Sequence, residues 1–291
     1  MAAPLSQVFY PSGFQELFSA WTRFPDAVPF AGGTGLMRYQ GKRIPVLPRN
    51  IISLDKLDEL RRISRTERYL EIGSMVKLNQ IIQLGKIVPE VLTQCLENVA
   101  GSQLRNLATI GGNICYHSRR LDCSAPLVAL DAQYELRSAQ SSRWIAASRF
   151  APFHGPQALA PQELLTRIRV PLDPWAFTCY RKFHTEGTCE PGGAILFIMK
   201  NQKDILTDIR VVYSGQTILR EKNSETMLSG KHLPLDRKDA MAFVERWKTF
   251  LSGIEVNEHL ALPGNSGRFN PELLKVQIIS FIETTIMRIA D

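Results

Sequence analysis

The 291-residue sequence has no C-x-x-C pair, and its five cysteines (Cys95, Cys115, Cys123, Cys179 and Cys189) make an odd count. Neither a disulfide framework nor a zinc site is expected from such spacing, and no four-cysteine run is present to hold an iron–sulfur cluster. No apolar stretch approaches the roughly 18 residues that span a bilayer, so no membrane span is expected. The N-terminus, Met1 to Gln7, has neither the basic nor the apolar region of a secretory signal, which implies a cytoplasmic location. The five histidines (His117, His154, His184, His232 and His259) show no metal-ligand spacing, and no metal site is expected. Internal repeats and low-complexity tracts are absent. The formal charge of +7 comes partly from paired cations such as Arg61-Arg62 and Arg119-Arg120, without interleaved aromatics. That pattern argues against nucleic acid and for a solvated surface with some preference for acidic partners.

What is present is ordinary globular material, 44% hydrophobic and 22% charged, long enough for two or three small cores. Phe14, Leu17, Phe18 and Trp21 fall at helical spacing after Ser12, a candidate N-cap, and Pro25 closes the segment. Ile44–Leu47 reads as a strand and Ile51–Leu60 as a strand end followed by a helical turn. A strand, helix, strand order favours a small parallel unit. Tyr69–Gly73 and Ala132–Arg137 read as strands, and Glu163–Pro171 and Phe177–Phe183 as strands paired around the turn at Asp173-Pro174. The second region is therefore expected to be an antiparallel sheet with helices on one face. Ala194–Met199 and Ile205–Tyr213 follow as strands. Helices are expected at Glu221–Ser229, Asp236–Leu251 and from Pro271 to the end.

Two glycine loops carry the chemistry. Thr109-Ile110-Gly111-Gly112-Asn113 places a hydroxyl, two bare backbone units and an amide side chain in succession, between apolar segments. Adjacent glycines allow positive φ and a close approach to the backbone by another molecule's oxygens. Phe30-Ala31-Gly32-Gly33-Thr34-Gly35 follows a short apolar strand and leads into a helical turn, a setting in which free N–H groups meet an anion. It is neither a G-x-G-x-x-G fingerprint nor a Walker loop. Two such loops at element boundaries suit one long diphosphate ligand.

Phe30–Leu36, Leu104–Ile114 and Asp122–Leu127 together resemble the FAD-binding subunit of molybdenum hydroxylases, the xanthine dehydrogenase and carbon monoxide dehydrogenase family. The resemblance runs through nearly the whole chain. It implies an α+β fold: a two-subdomain FAD-binding domain over 1–175 (subdomains about 1–55 and 56–175), then a C-terminal domain over 176–291. The first domain would hold a small parallel βαβ unit and an antiparallel sheet with helices. The second would be a three-stranded sheet with a helical bundle.

The resemblance further implies that FAD is bound by Phe30, Ala31, Gly32, Gly33, Thr34, Gly35, Thr109, Ile110, Gly111, Gly112 and Asn113. Asp122 would accept from a ribose or adenine group, and Leu165 and Lys182 would line the flavin. From the residues alone, Asp122 also suits an N-cap, and Lys182 an exposed strand position. No side chain is expected to act as acid or base, so no catalytic residue is named. The molybdenum cofactor and the iron–sulfur clusters would reside in two partner subunits, with NAD or another molecule accepting the electrons. The sequence departs from the family at Gly35, where an acid is usual, and at Tyr116–Leu121, which is bulkier and more basic. It departs again at Thr185–Glu190. Alternatives are a non-enzymatic assembly subunit with a degenerate flavin pocket, or a free-standing flavin oxidase.

Overall fold

The computed structural model describes residues 6–38, 47–116, 122–150, 158–184, 191–215, 217–254 and 271–290. The expected strand at Ile44–Leu47 and the departures at 117–121 and 185–190 lie outside those residues, apart from Leu47. The chain divides into two compact units. The first comprises Met1–Val88, Val99–His117 and Leu130–Leu172, and the second Pro89–Asn98, Ser118–Ala129 and Asp173–Asp291.

The first unit opens with β1 (Gln7–Phe9), α1 (Phe14–Arg23), β2 (Val28–Phe30), α2 (Thr34–Arg38) and β3 (Asn50–Ser53). Its three strands form a parallel sheet in the order β1-β3-β2, so each connection crosses over, with α1 in the first and α2 in the second. Phe14, Leu17, Phe18 and Trp21 are all buried, as the helical spacing demands, and pack with Ile52, Leu54, Leu57 and Leu60. Ser12 does not cap α1. Gly13 holds the N-cap, while the amide and hydroxyl of Ser12 donate to Glu16 at 2.8 and 2.9 Å.

Next come β4 (Ile63–Arg65), β5 (Tyr69–Gly73) and α3 (Leu78–Gln83). In the second unit lies α4 (Glu90–Glu97), and the chain returns to the first with α5 (Ser102–Arg105) and α6 (Ile110–Ile114). After α7 (Ser124–Ala129) of the second unit, the first is completed by β6 (Gln133–Arg137), β7 (Ser142–Ala146), α8 (Ala147–Phe150) and β8 (Leu164–Pro171). The five strands β4-β5-β8-β6-β7 make an antiparallel sheet.

The strands on either side of Asp173-Pro174 are not paired with each other. β8 has β5 on one edge (Tyr69 opposite Pro171) and β6 on the other (Gln133 opposite Arg169), so both its edges are filled. β9 (Phe177–His184) pairs instead with β10 (Pro191–Gln202). A proline turn marks where a chain bends; which edge a strand then joins is set by distant partners.

In the second unit β9 and β10 join β11 (Ile205–Ser214), the three long strands expected, and a two-residue fourth strand, β12 (Ile218–Leu219), adds to the edge. α9 (Lys222–Leu228), α10 (Arg237–Ser252) and α11 (Pro271–Ala290) follow. Asp236 and Glu221 cap α10 and α9 through side-chain oxygens. Ile195, Phe197, Val211, Phe243, Trp247, Phe281 and Ile282 form the centre of this unit's core. No helix among the described residues is long and apolar enough to cross a membrane.

Candidate functional site

The first turn, at the end of β2, needs glycine for three separate reasons. Gly33 has φ +68, in the left-handed region. At Gly32 a Cβ would stand 2.0 Å from the carbonyl oxygen of Leu107, and at Gly35 it would stand 2.9 Å from Cδ2 of the Tyr116 ring. Residues flanking the central Thr-Ile-Gly-Gly-Asn block therefore press on the first turn at two points. The fold of the first unit thus brings together two loops about 75 residues apart in sequence, a separation at which only tertiary packing joins them. Among the described residues, no acceptor takes the backbone N–H of Gly32, Gly33, Thr34 or Gly35, while the Gly33 carbonyl accepts from Met37 at 3.0 Å.

The central block behaves differently. Thr109 is the N-cap of α6, and its Oγ1 accepts from Gly112 N at 3.1 Å. Ile110 donates to Val76 O at 3.0 Å, Gly111 to Ser74 O at 2.9 Å and Asn113 to Thr109 O at 3.0 Å. The expectation of exposed amides and positive φ at these glycines is corrected: the amides are spent inside the first unit, and neither glycine has positive φ. Gly111 is required by close packing, since a Cβ there would meet Ser74 Cβ at 2.6 Å. At this block, Asn113 Oδ1 and Ser74 Oγ are buried without a partner among the described residues. A buried unpaired polar atom costs about 1–3 kcal/mol unless a water or ligand meets it.

Ile110 and Leu165 are enclosed, at 0% and 2% exposure, so they shape the interior rather than present a surface. Phe30 and Ala31 are half-buried at the mouth of the first turn. Asp122 and Lys182 belong to the second unit and face each other. Lys182 Nζ lies 3.2 Å from Asp122 Oδ1 and donates to Asn98 O at 2.9 Å, with both side chains nearly buried.

Nearby in that unit, burial pushes the Cys95 thiol well up, helped by a hydrogen bond with Cys123 and by the Asp122 charge. Burial likewise raises the Tyr180 hydroxyl, with the Cys95 and Asp122 charges adding to it. Such thiols are poor nucleophiles and suit packing. Sequence patterns mark neither Ser74, Val76 and Leu107, which act through backbone carbonyls, nor Asn98. Only Gly111 and Gly32 hint that something packs closely on them.

Residues 4–173 match the family described as the FAD binding domain in molybdopterin dehydrogenase. Xanthine dehydrogenase 2 of Arabidopsis thaliana is 27% identical over 77% of this chain and 18% of its own length. The xanthine dehydrogenase FAD-binding subunit of Escherichia coli O157:H7 is 31% identical over 52% of each chain. The chain spans only 18 to 21% of the length of the first curated relatives it matches. Among solved structures, quinoline 2-oxidoreductase from Pseudomonas putida 86 superimposes with a TM-score of 0.81 at 21% identity, covering 100% of this chain and 98% of that one.

Proposed function

Because the chain belongs to the family of FAD binding domains in molybdopterin dehydrogenases, we propose that it is the FAD-binding electron-transfer subunit of a molybdenum hydroxylase of the xanthine dehydrogenase type. The observation that carries this is the contact between the two glycine turns, Leu107 O against Gly32, beside four backbone amides that have no acceptor among the described residues. The residues fit FAD. A diphosphate needs clustered N–H donors, which Gly32, Gly33, Thr34 and Gly35 supply, while the buried Asn113 Oδ1 is an acceptor that would suit a hydroxyl or N–H of the ligand.

Bound FAD supplies a carrier able to take electrons one at a time and release them in pairs, and the protein supplies binding and orientation. The first turn would hold the diphosphate, with Phe30 and Ala31 at its mouth. Thr109, Gly111 and Gly112 would shape the central wall, with Ile110 and Leu165 packed behind. Asp122 would meet the ribose or adenine, and Lys182, held by Asp122, would stand toward the flavin. The FAD-binding domain would take residues 1–175, with subdomains about 1–55 and 56–175, and the C-terminal domain 176–291. An iron–sulfur subunit and a molybdenum-cofactor subunit would complete the complex in the cytoplasm, with NAD as a candidate acceptor.

The Tyr116 ring against Gly35 favours one further possibility, an assembly subunit whose flavin pocket has changed. An absorption spectrum of the purified chain, followed by titration of apoprotein with FAD and FMN, separates the two. Stoichiometric FAD with FMN rejected supports the electron-transfer role. No uptake of FAD would sink that role for the isolated chain.

A further inference from the structure

Arg105 folds back over the start of its own helix. Its Nη1 donates to two successive carbonyls just before α5, Val99 O at 3.0 Å and Ala100 O at 2.7 Å. Ala100 has φ +47, in the left-handed region that a residue with a Cβ seldom adopts. The guanidinium thus ties down a backbone conformation that alanine does not favour. α5 has only four residues, where an isolated helix needs about 12–15, and its N-cap Gly101 makes no side-chain hydrogen bond. Its direction is therefore imposed from outside. At the far end Ala108 N donates to Leu104 O at 2.8 Å, Ala108 O accepts from Leu78 N at 3.0 Å, and Asn106 Oδ1 accepts from Asn79 at 2.9 Å. Leu107 lies between these two anchorages, and its carbonyl oxygen is the atom pressed on Gly32. All of these residues belong to the first unit.

We propose that Arg105 is a positioning residue: by clamping Ala100 in its left-handed conformation it sets the direction of α5, and through α5 it keeps the Leu107 carbonyl seated against Gly32. Arg105 acts on the ligand site only through this backbone. Its effect on FAD affinity rests on the reading of the Gly32 turn as part of the FAD site, whereas the clamp is a property of the chain without ligand. One nitrogen makes both bonds, so a lysine, which also carries several donors on one nitrogen, retains much of the function. Methionine keeps an apolar stem and loses the donors. Glycine at position 100 takes up positive φ without a clamp, so it relieves the need for Arg105.

The test uses the full chain, with Arg105→Met and Arg105→Lys each made with and without Ala100→Gly. Amide hydrogen exchange is read without ligand over residues 27–38 and 101–113, and FAD affinity is then titrated by calorimetry. Arg105→Met should speed exchange about fivefold in both segments while leaving the strands β6 and β8 unchanged, and should weaken FAD binding about tenfold. Arg105→Lys should restore most of both, and Ala100→Gly should recover part of the loss in the methionine variant while changing the wild type little. A general loss of stability would instead raise exchange across the whole unit and would not be repaired by a glycine at position 100. Unchanged exchange over 27–38 in Arg105→Met would overturn the link to Gly32, and equal effects of Ala100→Gly in both backgrounds would overturn the clamp. If Arg105→Met fails to fold, adding Ala100→Gly should restore a folded chain, and failure of the pair would also overturn the clamp. Faster exchange in both segments with unchanged FAD affinity leaves the clamp standing and removes this turn from the FAD site. A wild-type chain that takes up no FAD removes the flavin reading, and the exchange result alone then decides the clamp.

Discussion

Lys182 Nζ lies 3.2 Å from Asp122 Oδ1, and both side chains are close to nine-tenths buried, so each charge is neutralised by the other. These residues were expected from family resemblance to act separately on a ligand. Their geometry makes them one unit, anchored by a further bond from Lys182 to Asn98 O. Removing one partner of such a pair strands the other and costs about 3–5 kcal/mol, whereas removing both leaves no buried charge. Asp122→Asn and Lys182→Met should each lower stability by about that amount. The double variant should lose much less than the sum, read from denaturant titrations. Additive losses would show that the two charges act independently.

Glycine substitutions should rank by what their new Cβ meets. Gly32→Ala drives a methyl to 2.0 Å from a backbone oxygen, and Gly111→Ala to 2.6 Å from Ser74 Cβ. Both force the backbone apart, with an overpacking cost of about 1–3 kcal/mol or more and loss of FAD uptake. Gly112→Ala meets only the Thr109 hydroxyl, at 2.9 Å, and should be milder. Thermal melts of the three variants check the order, which fails if Gly112→Ala is the most damaging.

Acid should weaken the first unit. The Arg167 guanidinium beside Glu135, and Arg143 beside Glu163, hold those carboxyls below their ordinary value of 4.5. A depressed folded-state value contributes stability that is present above about pH 4.5 and lost as pH falls through the lowered values. Glu225 in the second unit runs the other way. Burial raises its carboxyl, opposed by Arg220, so its contribution improves below the unfolded value and declines as pH rises. Glu135→Gln and Glu163→Gln should therefore flatten the fall in melting temperature below about pH 4.5. Melts at pH 3 to 7 would show whether the slope is unchanged.

Thiol chemistry gives a further check. Burial pushes Cys115 up to about 12 and Cys95 well above the usual thiol range. Fully buried Cys95 should not be alkylated by iodoacetamide in the folded protein at pH 8, partly exposed Cys115 should be labelled only slowly, and both should react once the chain is unfolded. Mass spectrometry of peptides from native and denatured samples reads this directly. Prompt native labelling of Cys95 would contradict its burial.

Much of the fold was legible because strong local patterns decide local structure. The apolar spacing of Phe14 to Trp21 and the continuous run Ala194 to Met199 each mark an element by themselves. β1, β4 and β7 were not legible. They are three to five residues long and largely exposed, so no alternation or apolar run distinguishes them from loop. The two glycine loops were also visible as candidate ligand turns. Their difference was not, because it depends on which carbonyls come within reach of their amides.

The sequence by itself determined the family resemblance, the helices and long strands, and the residue types at the two turns, since all of these are written in neighbouring residues. Tertiary structure decided the rest. It filled both edges of β8, so that β9 pairs elsewhere. It spent the central block's amides on Ser74, Val76 and Thr109, and left those of the first turn without an acceptor among the described residues. It also joined Asp122 to Lys182 and set Tyr116 on Gly35. The physical reason is range: helix periodicity acts over three or four residues, whereas these contacts close loops of tens of residues and exist only once the whole core has packed.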